Sequence, residues 1–345
     1  MRHRLLVLFG ALAAVIGVAL VPVLVKAQTR KTPEQEPSTR KAPPFRPEAL
    51  NWKQTFTPWG DPDLQGEWTG MTPTPLERLK PGENRITDPV ELARRYDLDP
   101  EETGRGVGTY NAGWHEDGRE LSYHPAFKGR TEKIVDPPDG RLPPRTPEAQ
   151  KKAEARAALR NPDGSQPDSA GPEDRSVNER CIGWELAIGG IVSSWYRIVQ
   201  TPGWVAINQY RMHDMRMIPL DGRPHLPQAV RAWQGDSRGH WEGNTLVVDT
   251  TNFNGKLGAN LQGSDENLHL IERYTQIDAD TIKYEYTVED PTVWTRPWSI
   301  SIPLAKDTDG FYEYACHEGN QAMTGMLSGA RASEAKKAAA KPDSK

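Results

Sequence analysis

The fold is decided by the stretch LHLIERYTQIDADTIKYEYTVE, which runs from Leu268 to Glu289. In its second half every odd position is Thr, Lys or Glu, and every even position is apolar: Ile282, Tyr284, Tyr286 and Val288. Strict alternation predicts a strand with one dry face and one wet face. The first half alternates as well, and Asp278-Ala279-Asp280 supplies a turn, so the stretch predicts an antiparallel hairpin.

Shorter alternating runs of the same kind follow one another from Tyr196 on, separated by turn residues. They are YRIVQ (196–200), GWVAINQY (203–210), MRMIPL (215–220), GHWE (239–242), TLVVDTT (245–251) and WSISIPL (298–304). Pro303 has no N–H to donate, so pairing in the last run is predicted for Trp298–Ile302 only. Short turns predict an antiparallel meander, and few helices are available to cover its dry face. The chain is therefore predicted to be mainly β, an antiparallel meander closed as a barrel or folded as a sandwich.

The N-terminus has the layout of a secretory signal peptide. Arg2 and Arg4 precede an apolar run, and Val25-Lys26-Ala27 places small residues where a signal peptidase reads them. This layout predicts cleavage after Ala27 and a secreted or periplasmic protein. A retained N-terminal membrane anchor is the alternative, because the apolar run is long enough to span a bilayer.

Composition divides the rest of the chain into three parts. Residues 28–58 are rich in Pro and charge and are predicted to be a disordered linker. Residues 59–331 are predicted to be one β-rich domain with a loop and helix insertion at about 71–180, and 332–345 a disordered Ala/Lys tail. Within the insertion, helices are predicted from Asp88 to Tyr96 and from Thr146-Pro147 onward, the second one solvated.

Charge and motifs exclude several classes of function. Of the 43 basic residues three lie in the signal peptide, which leaves 40 against 47 acidic ones, a net charge of −7. No Lys/Arg run is interleaved with aromatics, so neither nucleic acid nor an acidic membrane surface is an expected partner. Membrane contact is predicted only through an uncleaved N-terminal segment. The chain also lacks the motifs of serine hydrolases, P-loop NTPases and zincins.

The two cysteines, Cys181 and Cys316, have several interpretations. Cys316 and His317 are neighbours on a predicted strand and point apart, which disfavours a nucleophile–base pair. A Cys–His zinc site would need more thiolates than two distant cysteines supply. An oxidising compartment favours a Cys181–Cys316 disulfide, which is the prediction, with two free buried thiols as the alternative.

A disulfide would bring the loop GPEDRSVNERC (171–181) beside YEYACHEGN (312–320). The polar residues of these loops are then predicted to form the rim of a site: Glu173, Asp174, Arg175, Arg180, His317 and Glu318. The alternative is a set of ion pairs that only fasten the two loops together.

Polar side chains on dry faces are the candidates for catalysis. Glu272 shares its predicted face with Tyr274, and burial disfavours a charged carboxylate unless it is paired. Arg296, which precedes Trp298, is the candidate partner of Glu272 or a clamp for a ligand anion. The alternative is a purely structural Glu–Arg pair.

His213 is the candidate general base, since it shares a predicted dry face with Met215 and Met217. A satisfied core histidine is the alternative. His269 and His317 are assigned to wet faces, so His213, His269 and His317 make a poor set of metal ligands. No metal and no other cofactor is predicted.

The motifs carry two resemblances. Gly66-Glu67-Trp68 is similar to the Gly-x-Trp that opens the first strand of lipocalin-like barrels. Over roughly residues 60–331 the chain resembles a family of secreted bacterial proteins, on the motifs GPEDRS with ERC, IPLDGRPH, GDSRG with WEG, and YEYACHEGN. This second resemblance brings no function with it.

The predicted function is the binding of a small aromatic or amphiphilic molecule in an aromatic-lined barrel cavity. Its predicted walls are Tyr284, Tyr286, Trp294, Trp298, Tyr312 and Tyr314. One alternative is a cofactor-free lyase, isomerase or hydrolase in the same pocket, with His213 or Glu272 as base and Arg296 stabilising negative charge. A second alternative is a non-catalytic envelope or scaffold protein.

Overall fold

The secondary structure comes from a computed structural model of the chain. It describes residues 51–70, 72, 74–78, 124–127, 130–159, 169, 171–184, 186, 194–257, 260–264, 266–308, 310, 314–318 and 320–339. The strands in these ranges are β1 (Gly66–Thr69), β2 (Ile134–Asp136), β3 (Trp195–Thr201), β4 (Trp204–Gln209), β5 (Met215–Pro219), β6 (Asp236–Glu242), β7 (Thr245–Thr251), β8 (His269–Gln276), β9 (Thr281–Glu289) and β10 (Trp298–Lys306). The α-helices are α1 (Pro147–Ala158) and α2 (Gln321–Ala339).

The strands form one antiparallel sheet that is nearly closed into a barrel. Its order is β5-β4-β3-β1-β10-β9-β8-β7-β6, with β2 added beside β10. The predicted hairpin lies within it as β8 and β9, with Glu272 opposite Tyr286 and Tyr274 opposite Tyr284. The mainly β, antiparallel fold is therefore confirmed, and of the two predicted closures the chain adopts the barrel.

The barrel has one seam, between β5 and β6. Eight antiparallel ladders separate these two strands along the sheet, and an even number of reversals leaves them running in the same direction. A chain that returns to run parallel needs a long crossover, and residues 220–235 supply it. Side chains close the seam: a Cβ added to Gly239 would lie 2.7 Å from both Ile218 Cγ2 and Leu220 Cδ2.

We expect Gly239→Ala to destabilise the protein, because the stiff Ile218 side chain leaves no room for the new methyl group. The expected loss in the free energy of unfolding is about 1–3 kcal/mol, as for other overpacked sites. Gly325→Ala in α2 is the matched control: nothing lies within 4 Å of the added Cβ, and alanine favours a helix by about 1 kcal/mol. Urea unfolding of both variants measures the two effects; a Gly239→Ala variant as stable as wild type would contradict this account of the seam.

The dry faces of β9 and β10 are confirmed. Ile282, Tyr284, Tyr286 and Val288 are all buried in the barrel, and so are the alternate residues of β10: Trp298, Ile300, Ile302 and Leu304. The prediction that pairing ends at Ile302 is wrong, because Pro303 is paired with Lys283 and the strand continues to Lys306. Ser301 donates its N–H away from β9, to the Lys133 carbonyl. Pro303 is two residues further along the strand, so its backbone N faces the same side of β10 as the Ser301 N–H. It lies between the ends of β1 and β2, where neither ladder needs a backbone hydrogen-bond donor from β10.

The predicted faces of β5 are reversed. Met215 and Met217 are 55% and 53% exposed, whereas Arg216 and Ile218 are buried in the barrel. Hydropathy favours placing the methionines inside, and that prediction is wrong. The inward guanidinium is stable because it meets a carboxylate there, a contact between strands far apart in the chain.

The segments around the barrel give mixed outcomes. Helix α1 begins as predicted, with Thr146 Oγ1 accepting from the Ala149 N–H at 3.2 Å and Pro147 in the first turn. The disordered tail is wrong as far as Ala339, since α2 continues to that residue on strong helix formers. The linker prediction is wrong at its end, where Thr57 is buried and donates its N–H to the Asp61 carbonyl. The predicted signal peptide and the helix from Asp88 lie outside the described residues.

Candidate functional site

The barrel interior contains a buried ion pair. Glu272 of β8 is fully buried and meets Arg216 of β5 through both carboxylate oxygens; Arg216 Nη1 donates to Oε2, and Nη2 donates to Oε1 at 2.9 Å. Tyr274 and Tyr284 donate their hydroxyls to the same Oε1 at 2.9 and 2.7 Å. The carboxylate therefore accepts four hydrogen bonds, which offsets the cost of its burial.

Electrostatics keep this cluster in one protonation state. Burial acts to raise the pKa of Glu272, but the Arg216 charge and the tyrosine hydrogen bonds outweigh it and leave the pKa below its ordinary value. Burial, together with the Glu272 charge, raises the pKa values of Tyr274 and Tyr284. Glu272 thus stays ionised and fully bonded, which suits a structural ion pair better than a base that accepts a substrate proton.

The predicted partner of Glu272 is wrong. Arg296 lies on the outer surface, half exposed, and donates Nη2 to both carboxylate oxygens of Asp136 at 2.8 Å. It follows the turn that ends β9 and precedes β10, so it does not continue the inward alternation of either strand. The alternation in β8 therefore predicts the correct buried carboxylate, whereas the arginine that binds it is Arg216 and not Arg296.

The predicted aromatic walls contact one another. The ring centroids of Trp294 and Trp298 are 6.0 Å apart, those of Trp298 and Tyr286 5.9 Å, and those of Tyr286 and Tyr284 5.8 Å. Tyr314 belongs to another cluster, 5.7 Å from Tyr210, and Tyr312 lies outside the described residues. These rings pack against one another inside the barrel, and a void of about 10 Å³, barely the room of one water, reaches Arg216 and Tyr196.

An open cleft of about 750 Å³ lies outside the barrel, within the usual range for small-molecule sites. One wall is helix α1, which presents Ala149, Ala153 and Ala157 at successive turns. Residues 262–263, 266–267 and 291–293 form the opposite wall. Because these loops flank β8 and β9, the cleft lies at the end of the barrel where β8 begins and β9 ends.

Among the described residues that line it, the cleft carries three positive and two negative groups. Arg145, Lys152 and Arg156 line it on the helix side, against two carboxylates, Glu148 and Glu266. Arg145 is held in place, because its guanidinium lies 5.5 Å from the ring centroid of Trp294 and donates to the Gln262 carbonyl at 3.2 Å. The cleft can therefore offer a ligand the fixed cation of Arg145 and the exposed cations of Lys152 and Arg156, beside the apolar wall formed by the alanines of α1.

A chain of histidines and carboxylates crosses the outer face of β6 to β9. His225 joins Asp236 through Nδ1 at 3.0 Å and Asp249 through Nε2 at 2.9 Å. His269 joins the other oxygen of Asp249 through Nε2 and Glu289 through Nδ1, both at 2.9 Å. All four ring nitrogens thus face carboxylate oxygens, so the chain has no nitrogen turned toward a substrate.

One contact of this histidine–carboxylate chain can be predicted from the sequence. A hairpin turn at 278–280 places Gln276 opposite Ile282, and counting back along both strands places His269 opposite Glu289. The sequence places His225 in the segment between two predicted strands, and no local signal places it beside Asp249. Its position depends on how the 220–235 crossover lies on the barrel.

The predicted disulfide is confirmed: Cys181 is bonded to Cys316, with their Cα atoms 5.7 Å apart. Around it the structure shows fastening contacts. Asn320 Nδ2 donates to the Glu179 carbonyl at 3.3 Å, and Arg175 pairs with Glu179 and contacts Met326 Sδ of α2 at 2.9 Å. Four predicted rim residues project outward, being exposed: Glu173, Asp174, His317 and Glu318.

The remaining candidates are placed as follows. His213 ends a 3₁₀ turn (Arg211–His213) before β5 and is not part of the strand on which its predicted face depended. Within the described residues no group of three His, Cys, Asp or Glu side chains is arranged to hold a metal ion. No helix in those same ranges is long and apolar enough to cross a membrane.

Comparisons with family models, with curated proteins and with solved structures find no match to this chain. The candidate site therefore depends on the geometry described above.

Proposed function

We propose that this protein is an exported binder of small amphiphilic anions, and that its ligand lies in the cleft beside helix α1. The observation that carries the proposal is the cleft itself. It has a volume of about 750 Å³, three cations line it, and the alanines of α1 form an apolar wall. An aliphatic or aromatic body would lie on the alanines of α1, and an anionic head would meet Arg145, Lys152 or Arg156.

The proposed ligand is still a small amphiphilic molecule, as the sequence predicts, but its proposed site is the cleft beside α1 instead of the barrel interior. The aromatic side chains predicted to line a cavity are in contact with each other, so a ligand in the barrel would have to displace packed rings. The cleft needs no such rearrangement. Export is part of the proposal because the disulfide is typical of an oxidising compartment and the sequence begins with a signal-like segment.

We expect Lys152→Glu to weaken binding of an amphiphilic anion about tenfold, because it replaces an attractive charge with a repulsive one at the head group. Decanoate and 2-naphthoate are suitable probes, titrated by calorimetry at about 0.1 M salt, where the Debye length is about 10 Å. Decyltrimethylammonium, which has the same chain and the opposite charge, should bind more weakly than decanoate to wild type and gain from the substitution.

Lys151→Glu is the matched control, since it makes the same charge change on the same helix at a residue that does not line the cleft. It should leave the dissociation constant within about twofold, because residue 151 is exposed outside the cleft lining and its charge is screened by the salt. Equal losses in the two variants would indicate a general charge effect and contradict the proposed site. No binding of either anion to wild type would contradict the proposed function.

A further inference from the structure

The crossover loop, residues 220–235, connects β5 to β6 and is fastened in both halves. In the first half, His225 contacts Asp236 of β6 and Asp249 of β7, and the Leu226 N–H donates to the same Asp236 oxygen at 2.9 Å. In the second half, the Ala232 N–H donates to the Asn252 carbonyl at 3.0 Å. His225 is thus the ionisable side chain that links the first half of the loop to both strands.

The histidine contacts require a particular protonation state. An ionised carboxylate only accepts hydrogen bonds, so a ring with both nitrogens on carboxylates must carry two protons. This holds for His225, between Asp236 and Asp249, and for His269, between Asp249 and Glu289. A ring that loses one proton would turn a nitrogen lone pair toward a carboxylate oxygen, which repels it.

We infer that the first half of the crossover loop is a proton-dependent strap: His225 and His269, each doubly protonated, hold it against β6 and β7, and loss of these protons releases it from these two strands. Only His225 touches the loop. His269 is a positioning residue, because it binds the second oxygen of Asp249 and so fixes the carboxylate that receives His225. The device is independent of the proposed ligand.

The surrounding charges are largely paired with one another. Arg238 Nη1 donates to Asp236 Oδ1 at 2.6 Å, so Asp236 retains a cation when His225 is neutral. The other charged groups on the loop and the outer strands form pairs of their own: Asp221 with Arg223, Glu242 with Arg273 and His240, and Glu285 with Lys283; Arg231 donates to the backbone carbonyl of Phe253. His225 and His269 are therefore the cations that face the two oxygens of Asp249.

The direction of the pH effect follows from the contacts. The hydrogen bond to Asp249 is the main cause that raises the pKa of His269 above 6.5. Its stabilising contribution is complete below pH 6.5 and is lost as the pH rises through the raised value. Burial acts to raise the pKa of Asp249, but its histidine contacts outweigh it and hold the pKa below 3.8. The negative charge of Asp249 is thus lost only in strong acid. At mildly acidic pH the ionised carboxylate and the protonated histidine are both present, and the strap is held.

Release would affect the route to the interior ion pair. Gln234 at the end of the loop donates to Asp214 Oδ2 at 3.0 Å, and Gln234 and Arg216 line the same small void. Among the described strands the seam has no ladder, and Ile218 and Leu220 pack there on Gly239. Because Leu220 begins the loop, a loosened loop weakens the packing at this junction.

Amide hydrogen exchange of the full chain at about pH 5.5 and 8.5, corrected for intrinsic rates, tests the inference. We expect protection in 221–228 to fall about tenfold or more at the higher pH, while β9 (281–289) changes by less than about twofold. His225→Gln should give low protection in 221–228 at both pH values, because the amide side chain cannot satisfy two carboxylates.

His240→Gln is the control, because it removes a histidine of β6 that touches only Glu242 and should keep the wild-type response. His269→Gln separates the positioning role: it should reduce loop protection at pH 5.5 although residue 269 does not touch the loop. Loop protection that is the same at both pH values would overturn the inference. Equal losses in the loop and in β9 would also overturn it, because they would indicate global unfolding.

Discussion

Replacing Arg216 with methionine is expected to lower the free energy of unfolding by about 3–5 kcal/mol, because it leaves the Glu272 carboxylate buried without its counter-charge. Only the hydroxyls of Tyr274 and Tyr284 would remain bonded to that carboxylate. Urea unfolding at pH 7 measures the loss. The deficit should shrink as the pH falls, since a buried, unpaired carboxylate has a raised pKa and becomes neutral on taking up a proton.

Two controls make this prediction specific. The double variant Arg216→Met with Glu272→Leu should recover most of the lost stability, since it removes both buried charges. Arg296→Met breaks an equally well-formed arginine–carboxylate pair, with Asp136, that is about half exposed, and should cost less than about 1 kcal/mol. A loss of 1 kcal/mol or less for Arg216→Met would show that the interior pair is hydrated.

Removing the Cys181–Cys316 disulfide is expected to cost about 2–5 kcal/mol of stability, because the bond closes a loop of 135 residues in the unfolded chain. Substitution of both cysteines by alanine, followed by urea unfolding, measures the effect. Locally, the bond joins the loop before β3 to the segment that leads into α2, so both should become accessible to protease in the variant.

Reduction of the wild-type protein provides the matching comparison. Tris(2-carboxyethyl)phosphine should lower the midpoint of wild-type unfolding toward that of the double alanine variant and leave the variant itself unchanged. A wild-type midpoint that does not move once mass spectrometry shows both thiols to be free would contradict a stabilising role for the bond.

Local patterns predicted much of the barrel because the two faces of a strand differ in solvation. The alternation in Thr281–Glu289 places Tyr284 and Tyr286 inside, and the structure agrees. The same rule fails at β5, where Met217 and Arg216 compete for the interior. Hydropathy favours the methionine, but the arginine is inside because β8 places Glu272 opposite it across the barrel. That partner is 56 residues away, and no local window contains both.

The residues of the candidate sites also divide into those that a local pattern predicts and those that it does not. Glu272 was found because its own strand shows that it points inward, and His269 could be paired with Glu289 because a hairpin has a countable register. Arg296 was misassigned because prolines and a turn interrupt the alternation before β10. The cleft beside α1 was not anticipated, since helix α1 was interpreted as a solvated helix and its neighbours lie more than a hundred residues further along the chain.

By itself, the sequence determined the hairpin, the meander, the two faces of β9 and β10 and the disulfide, because each depends on neighbouring residues or on there being only two cysteines. The tertiary structure alone decided which arginine neutralises Glu272, where the open cleft lies and which carboxylates hold His225. Each of these is a contact across the barrel or over its seam. Its free energy depends on the distance between side chains brought together by closure of the sheet, and that distance is absent from any local pattern of polarity.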